Sequence, residues 1–182
     1  QIFAYMIPAA ARDTDKIDFC DENSRASHSF TSAALNERTV SAAYANGINT
    51  RNAFCGKTMT ADGAVSFTLT VDPANRGVIL IRTSSQKDAR QAASVAVDGI
   101  TVTERRWYHA DFNPYYEWLD DSFLIPAAFT EGKTQITVTI TPEDAGGGLT
   151  WNVSSLRAVT VLFGASAPDG ETHTETETNP PA

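Results

Sequence analysis

The residues best suited to chemistry are concentrated in one stretch of the chain. Trp107, Tyr108, Phe112, Tyr115, Tyr116, Trp118 and Phe123 are interleaved there with Asp111, Glu117, Asp120 and Asp121. Flat aromatic rings stack on the apolar faces of sugar rings, and neighbouring carboxylates accept hydrogen bonds from sugar hydroxyls. Trp107, Tyr108, Asp111, Tyr115, Tyr116 and Glu117 are therefore the candidate ligand-binding residues. Trp107, Tyr115 and Tyr116 are expected at the surface, while Trp118 and Phe123 are expected to pack inward. The competing reading of the same cluster is that its rings fill one end of a core.

Glycoside hydrolysis requires two carboxyl groups flanking the scissile bond, roughly 5–9 Å apart. Asp111, Glu117, Asp120 and Asp121 are the right groups, but nothing in their spacing sets two of them across a cleft, so no catalytic residue is assigned. Other chemistries find less support. No Gly-x-Ser-x-Gly elbow occurs, and His109 has no evident nucleophile beside it. Gly146-Gly147-Gly148 lacks the lysine and the strand-to-helix setting of a phosphate loop. The scattered His28, His109 and His173 do not complete a zinc site with two cysteines. No cofactor or metal ligand set is expected, although a structural calcium is compatible with a sandwich of this kind.

The elements that would position the aromatic stretch are strands. Val65-Ser66-Phe67-Thr68-Leu69-Thr70-Val71 and Ile136-Thr137-Val138-Thr139-Ile140 alternate apolar and hydroxyl residues with period two. Ala93-Ser94-Val95-Ala96-Val97 does so more weakly and runs into Asp98-Gly99, a preferred hairpin turn. Val78-Ile79-Leu80-Ile81 is apolar throughout, as in a central strand covered on both faces. Leu156 to Phe163 is a further β-rich run, and Trp118 to Ile125 forms another after the break at Asn113-Pro114. Turn clusters separate them at Asp72-Pro73-Ala74-Asn75, Glu131-Gly132-Lys133 and Glu143 to Gly148. Short helical turns have room around Ser32–Leu35 and Ser85–Ala92, and Ile2-Phe3-Ala4-Tyr5-Met6-Ile7 reads as a first strand. The pattern predicts an all-β fold, an antiparallel β-sandwich of jelly-roll type, over residues 1–164. Residues 165–182, rich in Thr, Glu and Pro, read as a disordered tail or linker.

Composition narrows the partners. The 182 residues include 22 Asp and Glu against 14 Lys and Arg, a formal charge of −8, which disfavours nucleic acid and anionic membranes. No apolar run reaches the roughly 18 residues that cross a bilayer, so membrane insertion is not expected. Cys20 and Cys55 are the whole thiol inventory and read as a disulfide. With the sequon Asn152-Val153-Ser154 as a glycosylation site, they point to a secreted or cell-surface protein.

The order of motifs from Val71 to Ile140 resembles a jelly-roll domain of glycoside hydrolase family 172 and related carbohydrate-associated sandwiches. It is carried by Val71-Asp72-Pro73-Ala74-Asn75-Arg76-Gly77-Val78, by Val95-Ala96-Val97-Asp98-Gly99, by Trp107-Tyr108 and by Asn113-Pro114-Tyr115. Trp118-Leu119-Asp120-Asp121-Ser122-Phe123-Leu124-Ile125-Pro126-Ala127 and Thr130-Glu131-Gly132-Lys133 complete it. The resemblance implies the fold and a carbohydrate setting, and transfers no catalytic residue. The first functional reading is a non-catalytic extracellular carbohydrate-binding module. The alternatives are a subunit or fragment of a family 172-like hydrolase and a self-assembling extracellular subunit, a homo-oligomer.

Overall fold

The structure, a computed structural model, describes residues 10–40, 54–85, 91–103, 105–109, 118–143 and 151–162. In chain order these form β1 (Ala11–Asp18), α1 (Glu22–Ser27), β2 (Thr31–Val40), β3 (Phe54–Thr70), β4 (Gly77–Ser85) and β5 (Gln91–Val97). Then follow β6 (Ile100–Thr101), β7 (Trp107–His109), β8 (Trp118–Pro126), α2 (Ala127–Thr130), β9 (Gln135–Glu143), β10 (Trp151–Val153) and β11 (Ser155–Val161).

The strands make two antiparallel sheets. One runs β1-β11-β4-β8, and the other runs β10-β3-β9-β5-β6, with β2 paired to β3 and β7 to β5. Leaving aside β2, β6 and β10, the remaining strands taken in chain order pair first with eighth, eighth with third and third with sixth in one sheet. In the other sheet they pair second with seventh, seventh with fourth and fourth with fifth. That is the double Greek key of a jelly roll, as expected.

Period two decides which side of each strand is dry. Val65, Phe67 and Leu69 of β3, Val95 and Val97 of β5, and Ile136, Val138 and Ile140 of β9 enter the core from one sheet. Val78 and Leu80 of β4, Phe123 and Ile125 of β8, and Leu156 and Ala158 of β11 meet them from the other. As predicted, β4 is a central strand, hydrogen-bonded to β11 on one side and β8 on the other. The Asp98-Gly99 hairpin forms as read, with φ of 50° and 80° at its two central residues and Val97 paired with Ile100. Asp98 also accepts from Lys133 Nζ and from the Thr137 amide. Burial opposes its ionisation, but these two bonds and the Lys133 charge hold its pKa below the ordinary carboxylate value.

The helical turn expected at Ser32–Leu35 is instead part of β2, whose ladder with β3 satisfies its backbone groups. Of Ser85–Ala92, the described residues Ser85, Gln91 and Ala92 are strand. The proposed first strand at Ile2–Ile7 and the tail from residue 165 lie outside the described residues.

The end of the sandwich bearing the Asp98 hairpin is closed by a buried amide. Asn75 Nδ2 donates to the carbonyls of Asp72 and Thr130, while its Oδ1 accepts from the Gly77 amide and the Thr130 hydroxyl. Asn75→Ala should therefore lower the unfolding free energy by about 2–3 kcal/mol, since it leaves several buried groups unpaired. Urea denaturation would check this; a loss within 0.5 kcal/mol, the range of an ordinary surface change, would contradict it.

Candidate functional site

At the opposite end, the aromatic stretch begins on β7, a strand of three residues whose side chains alternate between the two sides of the sheet. Trp107 faces inward. Its ring stacks on Phe123 at 5.5 Å between centroids and meets the edge of Trp151 at 5.2 Å. Its Nε1 donates to Asp121 Oδ2 at 3.2 Å, and the residue is 2% exposed. This corrects the expectation of an exposed Trp107: its ring belongs to the core, leaving no face for a ligand.

What fixes Trp107 is a buried ion pair between the sheets. Arg82 on β4 has no solvent exposure and donates from Nε to Asp121 Oδ1 at 2.8 Å and from Nη2 to Asp121 Oδ2. Its Nη1 reaches Gln91 Oε1 at 2.8 Å and the Asn152 carbonyl at 3.1 Å. The guanidinium also lies 3.6 Å from the ring centroid of Trp151 and 5.4 Å from that of Trp107. Arg82 and Asp121 come from one sheet, while Gln91, Trp107, Trp151 and Asn152 come from the other. One planar cation thus ties both sheets together.

Asn152 lies in this network too. It is 2% exposed, and its backbone N–H donates to Gln91 Oε1 at 3.1 Å. The sequon reading is corrected accordingly: in β10 all three residues are buried, and an N-linked glycan has no room there. Asp120 and Asp121 do not make a catalytic pair. Asp121 is bound to Arg82, whereas its strand neighbour Asp120 is exposed and accepts from Thr83 Oγ1 at 2.6 Å.

Tyr108 faces outward, as a ligand-binding ring should, and is 49% exposed. The Arg106 guanidinium lies 5.6 Å from its ring centroid, and Arg106 Nε meets Glu143 Oε2 at 2.6 Å. Tyr108 and Glu143 are both in register with Ala92, so they flank that small residue in one row on the outer side of the sheet. The result is a ring held by a cation, with a carboxylate beside it. The Arg105-Arg106 pair reads from sequence as a solvated edge or a partner for nearby carboxylates, but Glu143 escaped the sequence reading, because only the β5 register brings it to Tyr108. Asp111, Tyr115, Tyr116 and Glu117 lie outside the described residues.

Among the described residues, no group of three or more His, Cys, Asp or Glu could hold a metal ion, and no helix is long and apolar enough to cross a membrane. Cys20, in the turn after β1, is no free thiol. Cys55 stands in β3, its side chain outside those described.

No family model matches the chain, and no curated protein matches it. Solved structures do resemble it. A family 35 carbohydrate binding module from Clostridium thermocellum superposes with a TM-score of 0.48 at 16% identity, over 71% of this chain and 90% of that one. A CBM35 from Paenibacillus barcinonensis gives 0.47 at 11% identity, over 81% and 96%. The ANX2 ectodomain from Arabidopsis thaliana gives 0.49 at 13% identity, over 84% and 51%. At these scores the likeness bears on neither ligand nor activity, and the fold assignment rests on the sheets themselves.

Proposed function

We propose that this protein is a carbohydrate-binding module of the extracellular space, without catalytic activity of its own, whose site lies where β7 meets the outer side of its sheet. The observation that carries this reading is Tyr108: a half-exposed ring on a rigid strand, with Arg106 against it and Glu143 fixed by Arg106. A sugar ring can stack on the phenol, while the guanidinium and carboxylate bind its hydroxyls in fixed directions. Asp111, Tyr115, Tyr116 and Glu117 follow directly in sequence and have the types to extend the same surface. The buried Arg82–Asp121 pair supports a binding role over a hydrolytic one, because it removes Asp121 from reach of any substrate.

Isothermal titration against neutral oligosaccharides selected on a glycan array tests this. Tyr108→Ala should weaken binding about tenfold or more, the effect of losing roughly 1.4 kcal/mol of stacking, with the unfolding midpoint unchanged. Undiminished affinity in that variant would remove the site from β7. The extracellular assignment includes a Cys20–Cys55 bridge. Thiol titration of the denatured, unreduced protein should find no free thiol, and two per chain would count against it.

A further inference from the structure

We propose that the outer side of the seven-stranded sheet is a platform along which a neutral, linear polysaccharide lies, entering at Tyr108 and crossing a lattice of serine and threonine hydroxyls. This deepens the carbohydrate reading above and rests on it.

The lattice follows from the strand periods. Ile136, Val138 and Ile140 of β9 face the core, so Thr137, Thr139 and Thr141 face the other way. The same parity turns Ser66 and Thr68 of β3 and Ser94 of β5 outward. The registers set these side chains in rows: Thr68 beside Thr137, Ser66 beside Thr139, and Ser94 beside Thr141. Neighbouring strands are thus about 4.8 Å apart, outward residues recur about every 6.8 Å along each strand, and Thr139 Oγ1 donates to Ser66 Oγ at 3.1 Å. The next row is Glu143, Ala92 and Tyr108, which places the exposed ring at one end of the lattice. From Thr137 to Glu143 the strand runs for about 20 Å at roughly 3.4 Å per residue, room for several consecutive sugars.

Three features select the partner. Thr137 and Thr141 are exposed, and Ser66, Thr68, Ser94 and Thr139 are half-buried, so these rows of the face are open to solvent. Between the ion pairs at its two ends, Arg106 with Glu143 and Lys133 with Asp98, these rows carry no charge. A neutral ligand therefore matches the face and a polyanion does not. Among the described residues the large exposed apolar side chains are Tyr108 and Ile100. Ile100 is in register with the core residue Val97, so it lies on the opposite side. A protein partner would want an apolar centre, which the described residues of this face do not form. A hydroxyl group can both donate and accept a hydrogen bond, and so can those of a polysaccharide.

Affinity electrophoresis in gels containing hydroxyethyl cellulose, galactan or mannan, with polygalacturonate as the anionic comparison, tests the platform. Wild type should be retarded by at least one neutral polymer and not by polygalacturonate. Thr139→Lys and Thr137→Lys, which place a long charged side chain in the middle of the lattice, should each raise the apparent dissociation constant at least tenfold. Thr137 is the more exposed of the two, so its variant decides the matter if Thr139→Lys does not fold. Wild-type retardation in a folded Thr137→Lys, with loss in Tyr108→Ala, would overturn the platform and leave the Tyr108 site standing. No retardation of wild type by any neutral polymer would overturn both.

Discussion

Asp121→Ala is expected to lower the free energy of unfolding by about 3–5 kcal/mol, because it strands the wholly buried Arg82 without its counter-ion. Arg82 would keep Gln91 Oε1 and the Asn152 carbonyl as acceptors, both neutral and both held by its Nη1. Its Nε and Nη2 would lose their carboxylate. The same loss removes the acceptor of Trp107 Nε1, so the damage spreads across both sheets. The pair itself is a different matter from its half. Two charges taken out of water recover their desolvation only by excellent geometry, so Arg82→Met combined with Asp121→Leu should restore most of the lost stability. Urea denaturation of the three variants separates these effects. A single variant within 1 kcal/mol of wild type would mean that water reaches Arg82 and that the pair is not buried in solution.

That pair was legible in the sequence, though its signal is easy to miss. Val78, Leu80 and Arg82 share one parity, as do Asp121, Phe123 and Ile125, so each strand carries a single charge on its inward side. Two opposite charges on facing core positions have little choice but to meet. The second half of β3 and strands β4, β8, β9 and β11 were equally plain, because their period-two pattern or unbroken apolar run is strong, while β5 alternates more weakly and is marked by the Asp98-Gly99 turn after it. The strand β1 was not seen: Arg12, Asp13, Asp15 and Lys16 make it read as a loop. It is an edge strand, where charges oppose unwanted pairing with another chain. The sequon misled for the converse reason, since nothing local to Asn152 tells that β10 is enclosed on both sides. The site was half legible. An aromatic cluster announces itself by composition, but which ring points outward depends on the parity of a three-residue strand, too short to display a period.

Trp107 and Tyr108 make that dependence measurable, because adjacent residues with similar chemistry should fail in opposite ways. Trp107→Ala empties a site between Phe123 and Trp151 and should cost about 3–5 kcal/mol, the usual range for a large buried aromatic. In a domain of this size that corresponds to a fall in Tm of roughly 6–20 °C. Trp107→Phe keeps the stacking and loses only the bond to Asp121, so its cost should be smaller. Tyr108→Ala should stay within about 0.5 kcal/mol of wild type, since its half-exposed ring adds little to the core. Binding should follow the reverse order once the proteins are compared well below their melting temperatures. Tyr108→Ala loses affinity while fully folded, and Trp107→Phe keeps it. If Trp107→Ala left Tm unchanged and abolished binding, the indole would have to face the ligand, and the parity of β7 would be the opposite of that described.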